Sequence, residues 1–120
     1  AGADFAITQM FWNVDDYLWF RDEVSRRGCE VPIIPEIMPI TSLRQIPRLQ
    51  KLAGTDVPER LVRRLTAHGD DAAAVRAAGI EISQEMCERL LVHGAPGLHF
   101  ITMNAATAAI EVFRGIRGVA

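Results

Sequence analysis

The amino-acid sequence predicts an α/β fold in which short parallel strands alternate with longer helices. Three observations carry that expectation. Brief apolar runs stand at residues 5–10, 31–35 and 98–103. Each is followed by a longer stretch whose apolar residues recur at helical spacing. The resulting order of strand, helix, strand, helix is that of crossover units, which set neighbouring strands parallel.

The first strand, FAITQM at residues 5–10, is apolar almost throughout, as expected when both faces are covered. Asn13 is placed to cap the helix that follows, and Asp15 and Asp16 fall in its first turn, where the helix dipole favours negative charge. Val14, Tyr17, Leu18, Arg21 and Val24 recur at helical spacing, and Gly28 is placed to end the helix. The second strand, residues 31–35, contains Pro32 and Pro35, which remove ladder hydrogen bonds wherever their amides would face a neighbour. The segment PEIMP at residues 35–39 is excluded from helix, because a residue before proline is pushed out of the α region; it reads as an extended loop.

Thr41 or Ser42 can cap a short helix running to Leu52, with Leu43, Ile46 and Leu49 on one side. Pro47 lies too deep for its first turn and is expected to bend it, and Gly54 ends it. A second short helix is expected from Pro58 to about Ala67, with Leu61, Val62 and Leu65 inward. The long helix should run from a cap at Asp70 to about His93. Ile82, Met86 and Leu90 stand four residues apart along it beside Cys87 and Leu91, Gly79 weakens it locally, and Gly94 with Pro96 stops it. After the third strand, residues 98–103, Asn104 can cap a last helix over residues 105–113, and the tail RGIRGVA should fray.

Composition narrows the partners. Thirteen Lys+Arg stand against 15 Asp+Glu, for a net charge of -2, and the two signs are interspersed, so there is no basic stripe for nucleic acid or an anionic membrane. No apolar stretch approaches the roughly 20 residues that span a bilayer. Cys29 and Cys87 stand far apart and form neither a C-x-x-C pair nor a zinc pattern with His68, His93 or His99, so no metal site is expected. They read as small buried or half-buried thiols of a cytosolic protein, and a catalytic cysteine would need an activating base that spacing cannot show.

In folds of this kind chemistry gathers at the carboxyl ends of the strands. That selects Thr8, Gln9 and Met10, the loop at residues 35–41, and Thr102, Met103 and Asn104. Glu36 alone among them is a strong acid, so the chain is better equipped to hold a ligand than to move protons. It reads either as an acid near a ligand or as a solvated loop carboxylate. Gln9 is the polar outlier in an apolar strand. Its carboxamide can pair with an alternating donor-acceptor edge or with another carboxamide, or it can cap backbone groups at the rim. Gln45 by itself reads as a solvated helix residue and His99 as a hydrogen-bonded core or rim residue. Met10, Phe11 and Trp12 either line a pocket or pack as core.

The segments AITQMF, VPIIPEIMPIT and GLHFITMN, in this order and at these separations, resemble the sixth, seventh and eighth strands of the methylenetetrahydrofolate reductases. DDYLWFRD, RQIPRLQKL and HGAPGLHF add to the resemblance, which covers essentially the whole chain. It implies a partial (β/α)8 TIM barrel: residues 1–120 would be the carboxy-terminal portion of one barrel domain, contributing its last three parallel strands with their helices. A complete barrel takes about 250 residues, and the opening AGADFAITQM has neither an initiator Met nor a signal pattern, so position 1 reads as an interior cut in a longer chain.

The family reduces 5,10-methylenetetrahydrofolate to 5-methyltetrahydrofolate with NADH or NADPH through bound FAD, in the one-carbon metabolism that feeds methionine biosynthesis. By resemblance, Gln9 bonds the pterin and also the nicotinamide carboxamide, Gln45 is a second folate contact, Ile101 stands near the substrate pocket, and Leu49 falls where an aromatic residue stacks on the dinucleotide in some members. The family's proton donor is a Glu on the first strand, an Asp on the fourth strand assists the pterin, and strands two to five hold the flavin. No catalytic residue is therefore expected in this chain, and alone it should neither hold FAD nor turn over substrate.

Two departures stand out: Glu36 replaces a glycine found in many members, and Ala105 replaces an arginine that could meet the folate acid tail. The resemblance also implies a cytoplasmic protein whose full-length form is a homo-oligomer. The competing expectations are a non-catalytic half-barrel acting in binding or assembly, and an unrelated barrel enzyme that shares only the unit pattern.

Overall fold

The computed structural model describes residues 2–102 and 105–116. The elements run β1 (Ala6–Ile7), α1 (Val14–Arg26), β2 (Ile33–Ile34), β3 (Glu36–Ile37), a 3₁₀ turn (Leu43–Gln45), α2 (Ile46–Ala53), α3 (Glu59–Thr66), α4 (Ala72–Val92), β4 (His99–Phe100) and α5 (Thr107–Gly115).

The strands are parallel. β1 pairs with β2, Ala6 opposite Ile33 and Ile7 opposite Ile34. β3 pairs with β4, Glu36 opposite His99 and Ile37 opposite Phe100. The middle segment thus lies between the other two, bonding β1 with its first half and β4 with its second. The prolines explain this division. Pro32 and Pro35 stand where each ladder starts, and both serve it only as acceptors: Ala6 N–H donates to Pro32 O at 2.9 Å and His99 N–H to Pro35 O at 3.0 Å. A residue with no amide proton is tolerated at such a position. The extended loop expected at residues 35–39 is corrected here, since Glu36 and Ile37 form a strand. The backbone that proline keeps out of the α region is already extended, and β4 supplies its partner.

Most of the helix ends lie where local chemistry puts them. Asn13 Oδ1 accepts from Asp15 N–H at 3.1 Å. After α1, Gly28 takes a positive φ of 87°, Gly28 N–H donates to Ser25 O and Cys29 N–H to Val24 O. After α4, Gly94 at φ 85° does the same with Leu91, and Ala95 with Leu90. Both are the paired closing bonds of a Schellman ending. Pro47 does not bend a single helix: a 3₁₀ turn comes first and α2 begins at Ile46, so the proline falls in its first turn, where a missing amide proton matters least. The cap of α4 is Asp71, which accepts from Ala74 N–H at 3.1 Å, and not the expected Asp70. The last helix starts at Thr107, two residues later than expected; the expected cap, Asn104, lies outside the described residues.

α4 is the central helix, packed against α1, α3 and α5. Two apolar clusters result. One gathers Met10, Trp12, Ile40, Leu49, Leu61, Leu65 and Val75 beneath α2, α3 and the first half of α4. The other gathers Val14, Tyr17, Ile33, Ile37, Cys87, Leu90 and Val112 between the strands and α1, α4 and α5. Each fully buried leucine among these contributes about 1.5–3 kcal/mol of transfer free energy. The Tyr17 hydroxyl donates to Ile33 O at 2.6 Å and ties α1 to β2. Gly79 is more than a weak point: a Cβ there would sit 1.6 Å from Ile40 O, so the glycine lets the chain after β3 cross α4 at backbone contact.

Candidate functional site

Gln9, Gln45 and Ile101 follow β1, β3 and β4 in the chain. Gln9 follows β1 and is exposed; its Nε2 donates to Leu52 O at 2.9 Å, at the end of α2. One amide proton is therefore committed to the protein. Gln9 lines an apolar groove of about 450 Å³, together with Ile7, Met10, Phe11, Tyr17, Phe20, Ile33 and Ala53.

Gln45 closes the turn after β3. Its Oε1 accepts from Thr41 N–H at 2.7 Å, from the Thr41 hydroxyl at 3.2 Å and from Ser42 N–H at 3.2 Å. Ser42 Oγ in return accepts from Arg44 N–H at 3.2 Å. This reciprocal capping box fixes the loop, so Gln45 is not a simple solvated side chain.

Leu49 is 1 % exposed and lies within the first apolar cluster. Ile101 is half-buried against the same cluster, and its N–H donates to Ile37 O at 3.0 Å. Met10 and Trp12 are buried core residues. The structure thus sets Gln9 against the end of α2, whose interior holds Leu49, and places Gln45 in the turn that leads into that helix. Met103 and Asn104 lie outside the described residues.

One pair could not be read from spacing. His99 Nδ1 stands 3.3 Å from Glu36 Oε1, and Glu36 N–H donates to Thr8 Oγ1 at 3.1 Å. The Glu36 side chain is 13 % exposed, so it is not a solvated loop carboxylate. Sixty-odd residues separate the partners, and only the strand register brings them together.

The chemistry of the site is that of recognition. Carboxamides, hydroxyls and apolar walls dominate, with one carboxylate-imidazole pair. Cys87 is fully buried and its thiol is pushed up to about 12 by desolvation, reinforced by Glu88, which keeps it neutral and unreactive. Among the described residues no group of three or more His, Cys, Asp or Glu is arranged to hold a metal, and no helix is long and apolar enough to cross a membrane.

Comparison with known proteins shows the family. A family profile described as methylenetetrahydrofolate reductase matches residues 1–117. The chain is 40% identical over 107 residues to methylenetetrahydrofolate reductase 1 of Schizosaccharomyces pombe, covering 89% of this chain and 18% of that protein. It is 35% identical over 116 residues to methylenetetrahydrofolate reductase (NADH) 1 of Arabidopsis thaliana, covering 97% of this chain and 20% of that protein. The chain therefore spans about a fifth of the length of these curated relatives. Among solved structures, an uncharacterized protein from Clostridium thermocellum, described as binding two copies of 5-methyl-5,6,7,8-tetrahydrofolic acid, shares the fold. The TM-score is 0.54 at 21% identity, over 93% of this chain and 42% of that one. On the match across residues 1–117, this chain belongs to the methylenetetrahydrofolate reductase family.

Proposed function

We propose that this chain is the carboxy-terminal portion of a (β/α)8 barrel that reduces 5,10-methylenetetrahydrofolate to 5-methyltetrahydrofolate with NADH or NADPH, and that it supplies one wall of the pocket both ligands use. The observation that carries the reading is the lateral order of the strands. β1, the β2–β3 segment and β4 lie side by side, parallel and in chain order, as consecutive strands of such a barrel do. Gln9 follows β1, Gln45 lies in the turn after β3 and Ile101 follows β4; in this reading they share one end of the barrel, with Leu49 beneath. In this reading Gln9 offers its free amide atoms to the pterin and, in turn, to the nicotinamide carboxamide. Gln45 offers what its capping bonds leave, Ile101 gives apolar contact, and Leu49 supports the dinucleotide side.

FAD supplies the hydride relay in this chemistry. The strand ends described here do not fit its pyrophosphate: residues 5–13, 33–42 and 99–102 contain no lysine or arginine. FAD is accordingly assigned to barrel units outside this chain, and the residues present act by orienting substrate. The full-length protein is proposed to be cytoplasmic and homo-oligomeric.

The test compares the full-length protein with the 120-residue chain. The full-length protein should show flavin absorbance and oxidise NADH or NADPH on addition of methylenetetrahydrofolate, and the shorter chain should do neither. Turnover by the shorter chain, or a full-length protein without folate-dependent oxidation, would overturn the proposal.

A further inference from the structure

A cavity of about 120 Å³ opens between the chain after β1 and the helices α3 and α4, and shares no lining residue with the groove beside Gln9. Its walls carry Arg60 and Arg64 from α3 and Glu85 and Arg89 from α4, with Trp12 and Met86 in the apolar part of the lining. Residues 60 and 64, like 85 and 89, stand one helical turn apart and so share a face. Every wall belongs to this chain, and strand-helix units added beyond β1 or β4 would lie outside it.

The polar groups of this cavity are unequally matched. Arg64 donates to both oxygens of Glu85, at 2.7 and 3.0 Å, and Arg89 donates to Asp15 at the start of α1. Arg60 is exposed and, among the described residues, stands in no ion pair. Trp12 is 6 % exposed, and its indole Nε1 is buried with no hydrogen-bond partner among the described residues. An indole N–H can only donate, and buried donors of this kind nearly always meet an acceptor. A free guanidinium, the unused N–H groups of Arg64 and Arg89 and the indole N–H thus face a single carboxylate whose two oxygens are already engaged. The ligand that completes such a set is an oxyanion. The space sets its size: 120 Å³ lies well below the roughly 300 Å³ at which pockets for whole drug-sized ligands begin. A second void touching Trp12, of about 10 Å³, is lined otherwise by Ser83 and apolar residues and holds no cation, so it offers an anion nothing.

We propose that Trp12 Nε1, Arg60, Arg64 and Arg89 form a binding site for a small oxyanion, a phosphate or carboxylate group, separate from the groove beside Gln9. The site stands on its own donors and does not depend on the reductase reading.

The test titrates inorganic phosphate, and separately succinate, into the full-length protein at low ionic strength by calorimetry. At least one ion should bind saturably and more weakly as salt is added, and the tighter of the two names the preferred headgroup. Arg60→Gln should weaken that binding about tenfold, the scale of one charge-assisted hydrogen bond, and Arg60→Lys should recover part of the loss. Trp12→Phe keeps a ring in place and removes the donor, and should weaken binding about threefold. Arg114→Gln makes the same change of net charge at an exposed position outside the lining and should leave binding unchanged. No saturable binding of either ion would overturn the proposal, as would binding that Arg60→Gln leaves intact. A loss in Trp12→Phe that comes with a lower melting temperature, beside normal binding in Arg60→Gln, would assign the indole to packing and overturn it too. An equal loss in Arg114→Gln would reduce the effect to overall charge, with the same consequence. Because nothing in the measurement uses turnover, it decides the site whether or not the protein is a reductase.

Discussion

Replacing Gly79 with alanine separates the two roles that this residue could have in α4. By helix propensity alone the change should stabilise the protein, because alanine is better than glycine in a helix interior by about 1 kcal/mol. The structure reverses that sign. The new Cβ would stand 1.6 Å from Ile40 O and 2.8 Å from Ile40 C, where ordinary contact begins near 3.4 Å, so the carbonyl must retreat by roughly 1.8 Å (3.4 less 1.6). The obstacle is backbone, and it has little room to yield. Pro39 and Ile40 are buried, and Thr41 N–H and Ser42 N–H are both held by Gln45 Oε1.

Overpacking a tight site costs about 1–3 kcal/mol and occasionally more, and a backbone clash belongs at the upper end. After the propensity gain is subtracted, Gly79→Ala should destabilise by about 2 kcal/mol. The measurement is urea denaturation, read as a lower midpoint at constant slope. Because the displaced segment leads into the Gln45 turn, folate KM should rise in the same variant. A variant as stable as the parent, or more so, would refute the close-approach argument and leave Gly79 as an ordinary weak spot in a helix.

Four further outcomes follow from individual contacts. Tyr17→Phe leaves Ile33 O unpaired in the core and should lower unfolding free energy by about 1–2 kcal/mol, measured by the same denaturation. Gln45→Ala removes three bonds to Thr41 and Ser42; it should cost about 1–2 kcal/mol as a lost cap and weaken folate binding in a titration with 5-methyltetrahydrofolate. A thiol reagent at neutral pH should label exposed Cys29 and spare buried Cys87 until denaturant is added. The Cys87 thiol is raised from 9.0 to about 12 in the folded protein, so its contribution is complete below the unfolded value and is lost as pH climbs from about 9 through 12. That contribution is up to about 4 kcal/mol. Unfolding free energy of Cys87→Ala should therefore fall less steeply over that range than the parent's.

The sequence makes local structure legible and leaves pairing hidden, for a physical reason. Asn13, Ser42, Gly54 and Gly94 act within one helical turn of themselves, and each acts where its residue type places it. Asp71 is an error of one position, because adjacent aspartates are equally able to cap and only the surrounding turn chooses between them. Glu36 and Gly79 are errors of another kind. The partners that define them, His99 and Ile40, lie far along the chain. A window that sees PEIMP as loop and Gly79 as a flaw contains neither β4 nor the crossing strand end. Gln9 stood out as the polar residue at the end of an apolar strand, whereas Gln45 entered only through family resemblance, since a single glutamine has no spacing signature. Their hydrogen bonds to Leu52 and Thr41 depend on the tertiary fold.

The distribution of uncovered apolar surface bears on the choice between a barrel portion and an independent assembly piece. Phe5 just before β1, Ile7 on β1 and Phe20 on α1 are 54%, 42% and 45% exposed. Ile110 and Phe113 are 46% and 51% exposed on α5. Because α4 packs against both α1 and α5, these strips lie at opposite ends of the helix layer. A two-fold contact with a second copy is self-complementary and covers one of them, leaving the other strip and its strand edge open to unspecific pairing. Closure by further strand-helix units, as proposed above, would cover both at once, because in a barrel the strand before β1 and the strand after β4 would belong to the same ring. The strips at α1 and α5 fit the barrel reading, while Val92 on α4 and Leu52 on α2, 82% and 42% exposed, lie outside them. The barrel reading also predicts that the 120-residue chain alone will form open-ended, concentration-dependent oligomers in sedimentation velocity. A single discrete dimer would instead favour the assembly piece.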